Sequence, residues 1–225
     1  MPQFWEQQLH AIRERVVLMS GLTERMLTLA MRAFSERDDK LADMAESADS
    51  QIDDLEVRVD EMVVVFISTT GAVASDTRFV LAASKICSDL ERIADEGTTI
   101  ARRARALAGE PVLRTNVDIP MLATAAQEML RDSITAFIQS DIDLAIEIIG
   151  RDRTIDDIYK GYVRELTSVM VNDPKTITRV LHLMTIAKAI ERIADHATNI
   201  AEEVHYLFRA EDIRHDLSFK KPRDP

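Results

Sequence analysis

The sequence predicts an all-α protein assembled as two tandem three-helix bundle repeats in up-down topology. Three observations lead there. Glycine and proline are scarce, six of each in 225 residues, and most fall where a break is needed, while Ala, Leu, Ile, Glu and Arg fill the stretches between. Apolar residues recur along those stretches at three- and four-residue steps. The pentapeptide Glu91-Arg92-Ile93-Ala94-Asp95 returns 100 residues later as Glu191-Arg192-Ile193-Ala194-Asp195.

Helix one is expected from Phe4 to Phe34, with Leu9, Ile12, Val16, Met19, Leu22, Met26, Leu29 and Ala33 on one stripe and Gly21 a possible bend. The polar cluster Ser35 to Asp39 ends it and offers Asp38 or Asp39 as the cap of helix two, which runs from Leu41 to Thr70. Gly71 is read as the C-cap of helix two, and Ser75-Asp76 as the start of helix three, which continues through Ile86, Leu90, Ile93, Gly97, Ile100 and Ala104 to Leu107. Gly109 and Pro111 stop it, and Glu110 to Val117, which lacks periodicity, is the linker between halves.

Asp118 with Pro120 in the first turn starts helix four, carrying Leu122, Ala126, Met129, Ile134 and Phe137. Asp141 caps helix five, which runs to about Val171. Asn172-Asp173-Pro174 then reads as a cap with proline in the first helical position, launching helix six to about Phe208. Beyond Arg209 the tail is charged and expected to fray.

The halves match in register as well as in element count. At an offset of 100, ten of the 21 positions from 81 to 101 recur. At an offset of 103, Asp38, Leu41, Ala42, Asp49, Ile52, Asp53 and Asp54 recur as Asp141, Leu144, Ala145, Asp152, Ile155, Asp156 and Asp157. Residues 1–110 are therefore assigned to the first repeat, 111–208 to the second and 209–225 to the tail.

Each pentapeptide sets two carboxylates four residues apart, on one helical face, where like charges repel by a few tenths of a kcal/mol. The preceding helix carries a second pair at the same spacing, Asp49 and Asp53, repeated as Asp152 and Asp156. Taking the first turn at residue 72, Asp53 lies 19 residues before it and Glu91 19 after. A second turn at 173 puts Asp156 and Glu191 at 17 and 18 residues. Antiparallel hairpins thus bring four carboxylates together twice: Asp49, Asp53, Glu91 and Asp95, and Asp152, Asp156, Glu191 and Asp195. Because the acids point away from the apolar stripe, both clusters are expected to lie open on the surface.

An all-oxygen ligand set suits hard cations such as Mg, Ca, Mn or ferric iron, so Fe, Mg, Mn, Ca or Zn ions are the expected cofactors. The competing reading is a plain helical scaffold whose acidic faces are merely solvated. Thr98, Thr99, Thr198 and Asn199 extend the same edges as possible secondary ligands, and His196 is a further candidate. A ferritin-like di-iron enzyme is an alternative, but it needs two Glu-x-x-His motifs pointing inward, and only Glu202-Glu203-Val204-His205 fits that form. No glycine-rich phosphate loop or strand pattern supports another enzyme class.

A net charge of -11 argues against a nucleic-acid surface. The single Cys87 allows no internal disulfide and suits a reducing cytosol. The segment Met1 to Leu9 lacks the form of an export signal, and the longest apolar run, Met62 to Ile67, is far short of a membrane span, so membrane association is expected only through a partner.

Together, Leu90 to Asp95 and Ile190 to Ala201, supported by Ala74 to Arg78 and Met129 to Ser133, resemble the PhoU family of phosphate-transport regulatory proteins. The resemblance spans residues 4 to about 208. It implies two three-helix repeats, each with a Glu/Asp-x-x-x-Asp metal motif, and no enzymatic activity. It further implies a cytoplasmic negative regulator of phosphate-starvation signalling and of uptake through a phosphate ABC transporter. The implied partners are that transporter's ATPase subunit, the PAS region of a sensor histidine kinase and a further copy of the chain, as a homodimer or larger homo-oligomer. Two departures stand out. Ala94 and Ala194 replace a frequent glycine, and the first copy reads Glu96-Gly97-Thr98-Thr99 where the second keeps His196 and Asn199. On that pattern the first cluster is expected to bind metal differently or more weakly.

Overall fold

The computed structural model describes residues 2–69 and 73–213, with side chains from Trp5 onward. Six long helices carry the chain: α1 (Pro2–Glu36), α2 (Asp39–Thr69), α3 (Ala74–Ala108), α4 (Ile119–Gln139), α5 (Ile142–Asn172) and α6 (Ile177–Arg209). No strand occurs among the described residues. α1, α2 and α3 pack on one another, as do α4, α5 and α6, and the two units are joined along α3 and α6 with α1 against α4. Helix α1 passes through Gly21 without a break, and its stripe buries Ile12, Val16, Met19, Met26, Ala30 and Ala33 completely or nearly so.

The repeat extends to backbone detail. Arg37 and Ser140, 103 residues apart, both take left-handed φ, at 57° and 60°. Each ends its helix so that the next amide closes a wide turn, Asp38 N to Ala33 O at 3.3 Å and Asp141 N to Ala136 O at 3.0 Å. The aspartate side chains then cap the following helix, Asp38 Oδ1 accepting from the Lys40 amide at 2.8 Å and Asp141 Oδ1 from that of Leu144 at 3.0 Å.

Three helix ends differ from the expectation. Val73, extended and without a side-chain cap, precedes α3, while the Ser75 hydroxyl turns to Asp76 at 3.4 Å; Gly71 lies outside the described residues. Asp173 caps a single 3₁₀ turn, Pro174–Thr176, rather than the α-helix, because proline's fixed φ and missing amide suit a tight turn before α6 begins at Ile177. Past α6 the chain does not fray at once: Ala210 closes the helix in left-handed conformation and Ile213, the apolar residue of this stretch, is buried. The rest of the tail lies outside the described residues.

The linker is tied at several points. Arg37 donates to the carbonyls of Leu107, at 2.6 Å, and Glu110. Arg179 donates to Pro111 O at 2.9 Å, and the Tyr162 hydroxyl to Asp118 O at 2.8 Å.

Polar pairs fix how α3 and α6 meet. Lys85 contacts Glu203 at 2.8 Å, Asp89 accepts from Asn199 at 3.2 Å, and Glu96 pairs with Arg192 at 2.7 Å. Rising numbers on α3 meet falling numbers on α6, so the helices run antiparallel. In that register Ala94 and Ala194, both fully buried, come level, where a small side chain lets two helices approach closely.

Candidate functional site

The two hairpins, α2–α3 and α5–α6, carry the acids identified in the sequence. In the second repeat, Asp156 of α5 and Glu191 and Asp195 of α6 each place a carboxylate oxygen within 4.8 Å of the others. Asp152, one turn before Asp156, accepts from Thr198 at 3.4 Å and also acts on Asp195 electrostatically. This cluster is not open. Glu191 is only 7% exposed and Asp195 is half-buried, because the flank away from the apolar stripe is the seam where α5 packs on α6.

Burial shapes the charge here. Loss of solvent, then the neighbouring Glu191, Asp152 and Asp156, push the Asp195 carboxyl up to about 6, with Lys188 acting in the opposite sense. Lys188 Nζ bonds the Glu191 carboxylate and sits 5.3 Å from the centre of the Tyr159 ring, and Lys160 lies 3.3 Å from Asp156.

The first cluster is more exposed and differently compensated. Burial, then Asp53, push Asp49 up, with Asp95 adding to the shift and the Thr98 hydroxyl opposing it. Burial, then Asp95, raise Glu91, and Glu56 and Asp53 contribute. Arg92 folds back over its own motif, 3.5 Å from Glu91 and 3.7 Å from Asp95. Its repeat partner Arg192 instead leaves the second motif for Glu96. The grouping within 4.8 Å seen at Asp156, Glu191 and Asp195 is not matched by Asp49, Asp53, Glu91 and Asp95 among the described residues.

His196 and Asn199 belong to neither cluster. His196 Nδ1 lies 2.8 Å from Asp89 Oδ1 and Asn199 donates to the same oxygen, so both serve the contact between repeats. The contrast between Glu96-Gly97 and His196-Asn199 is thus a contrast at the α3–α6 seam, and the difference between clusters lies in Arg92, Lys188 and their partners. The sequence reading missed Lys188 and Lys160. A signal was present, since position 188 is lysine where its counterpart 88 is serine. Near the end of α6, Glu203 pairs with Lys85, and His205, the histidine of the Glu202-x-x-His205 motif, places Nδ1 3.3 Å from Glu211 O.

The second cluster fits a hard cation on its own chemistry. Three carboxylates crowd within one coordination sphere, and the raised Asp195 carboxyl is a charge that a cation would relieve. No helix among the described residues is long and apolar enough to cross a membrane.

The PhoU domain family matches residues 16–104 and again residues 119–204. The chain is 39% identical over 214 residues to the phosphate-specific transport system accessory protein PhoU homolog of Pseudomonas putida, covering 95% of this chain and 84% of that protein. It is 35% identical over 208 residues to the phosphate-specific transport system accessory protein PhoU of Escherichia coli K12, covering 92% and 86%. The crystal structure of PhoU from Pseudomonas aeruginosa superposes with a TM-score of 0.90 at 36% identity, covering 92% of this chain and all of that one.

Proposed function

This chain belongs to the PhoU family, and from that premise we propose that it is a negative regulator of phosphate uptake and of phosphate-starvation signalling. At the coarser level it is an accessory, regulatory protein of phosphate transport. The carrying observation is that both repeats match and that the likeness spans 95% of the chain.

In the finer reading the protein works by contact rather than catalysis. It binds the ATPase subunit of a phosphate ABC transporter and the PAS region of a sensor histidine kinase, in the cytoplasm, as a homodimer or larger homo-oligomer. A net charge of -11 disfavours nucleic acid as a partner. Asp152, Asp156, Glu191 and Asp195, and Asp49, Asp53, Glu91 and Asp95, would hold metal ions. When bound, such an ion neutralises carboxylates and changes the charge that a partner meets. The residues of this chain do the rest: α5 and α6 hold the acids at fixed spacing, and Thr198 orients Asp152.

The partner reading is tested by co-purification from cells at high and low phosphate. Recovery of the transporter ATPase or the kinase in a phosphate-dependent amount supports it, and recovery of neither under both conditions overturns it. For the metal reading, Glu191→Ala with Asp195→Ala is expected to lower bound metal in elemental analysis; unchanged content sinks it.

A further inference from the structure

The two clusters are built from matching acids, yet their immediate neighbours are not equivalent. In the second repeat Lys188 binds Glu191 and stacks on Tyr159, so one ammonium bridges α6 and α5 over the buried edge of the acids. The same two positions in the first repeat are Ser88, at the offset of 100, and Glu56, at the offset of 103. There a cation–aromatic pair is replaced by a hydroxyl and a carboxylate, and Glu56 adds to the negative field on Glu91. The arginines reinforce the contrast. Arg92 lies over the first cluster from the solvent side, 60% exposed, whereas Arg192 is committed to Glu96.

The two compensating cations are not equally displaceable. Arg92 sits at 3.5 and 3.7 Å in high dielectric, where such pairs are weak. Lys188, itself 47% exposed, bonds a carboxylate that is almost out of solvent, and its ammonium lies over the Tyr159 ring.

We propose that Lys188 is the built-in counter-cation of the second cluster, and that a divalent ion can enter Asp152, Asp156, Glu191 and Asp195 only by displacing it. The second cluster is therefore an exchange site, one ammonium for one divalent ion, and fills after the first, the reverse of the order expected from the Glu96-Gly97 pattern, because the exposed Arg92 yields more readily than Lys188. This rests on the metal reading given above. It assigns Lys188 a role as the residue that sets the threshold for loading, not as a ligand.

The test is titration of the full chain with Mn²⁺, a hard ion whose bound fraction is read by electron paramagnetic resonance. The wild type is expected to show a tighter and a weaker class of site. Lys188→Ser, which copies the first repeat, should tighten the weaker class about tenfold and leave the tighter class unchanged. Lys188→Met keeps an unbranched stem and should do the same, which guards against a folding defect in the serine variant. Lys188→Arg should restore weak binding. Asp195→Ala should remove the weaker class, identifying it as the second cluster. Unchanged or weakened affinity in both neutral variants overturns the role of Lys188 while leaving the metal reading intact. No bound Mn²⁺ in any form overturns the metal reading and this inference with it.

Discussion

Arg192 Nη1 stands 2.7 Å from Glu96 Oε1, so the arginine of the second Glu-Arg-Ile-Ala-Asp copy serves the first repeat. Glu96 is 9% exposed; burial raises its carboxyl and Arg192 is the largest opposing influence. Arg192→Ala leaves that carboxylate nearly buried without its main counter-charge. It is expected to cost about 1–2 kcal/mol, since the arginine itself is half in water. Glu96→Ala made together with Arg192→Ala should cost less than the two changes added, because each removes the same contact. Chemical denaturation of the four forms measures this, and strict additivity would show that the pair is not coupled.

Asp195 offers a pH-dependent test. Its carboxyl rises from 3.8 to about 6, through burial first and then Glu191, Asp152 and Asp156. A carboxyl with a higher value folded than unfolded adds stability below the unfolded value and loses it as pH climbs through the folded one. The metal-free protein should therefore weaken between pH 4 and pH 7. Asp195→Asn, which never ionises, is expected to raise the unfolding midpoint of the metal-free protein by a few degrees at pH 7.5, about 1 kcal/mol after allowing for solvent screening. The gain should shrink toward zero at pH 4; an equal gain at both pH values would refute this account.

The matched turns predict opposite outcomes for one substitution. Ser140 holds φ at 60°, a conformation that favours glycine, and Ser140→Gly is expected to stabilise the protein by about 0.5–1 kcal/mol. Arg37 shares the conformation, at 57°, yet its guanidinium ties the carbonyls of Leu107 and Glu110. Arg37→Gly should therefore yield no gain or a loss, as those bonds offset the relief of strain. Thermal unfolding of the two variants decides it: a similar gain in both would mean that the linker contacts contribute nothing.

Much of the fold was legible because it rests on local signals. The stripe through Ile12, Val16 and Met19, the caps Asp118 and Asp141, and the 103-residue recurrence of Asp38 as Asp141 each depend on spacing along one helix or one turn. The pairing of Asp156 with Glu191 was also accessible, because an antiparallel hairpin converts residue counts into height. What escaped depends on how closely the helices pack. Whether Glu191 is open or buried is decided by how closely α5 crowds it, and the partner of His196 is Asp89, 107 residues away in the other repeat. A helical wheel gives an angle relative to an apolar stripe, and it is silent on which flank a neighbour will cover. Proline in Asp173-Pro174 was readable as a start signal, but choosing between a 3₁₀ turn and the α-helix required the packing that follows.

The antiparallel seam of α3 and α6 bears on how this chain can come apart. Leu27 and Ile100 of the first repeat line a common gap with Ala126, Ile190 and Ile193 of the second, and Lys85, Asp89 and Glu96 are answered from the other repeat. Neither half closes its own interior. The duplicated units are thus expected to unfold as one body, and a chain severed in the linker to leave each fragment with part of this shared interior exposed to water.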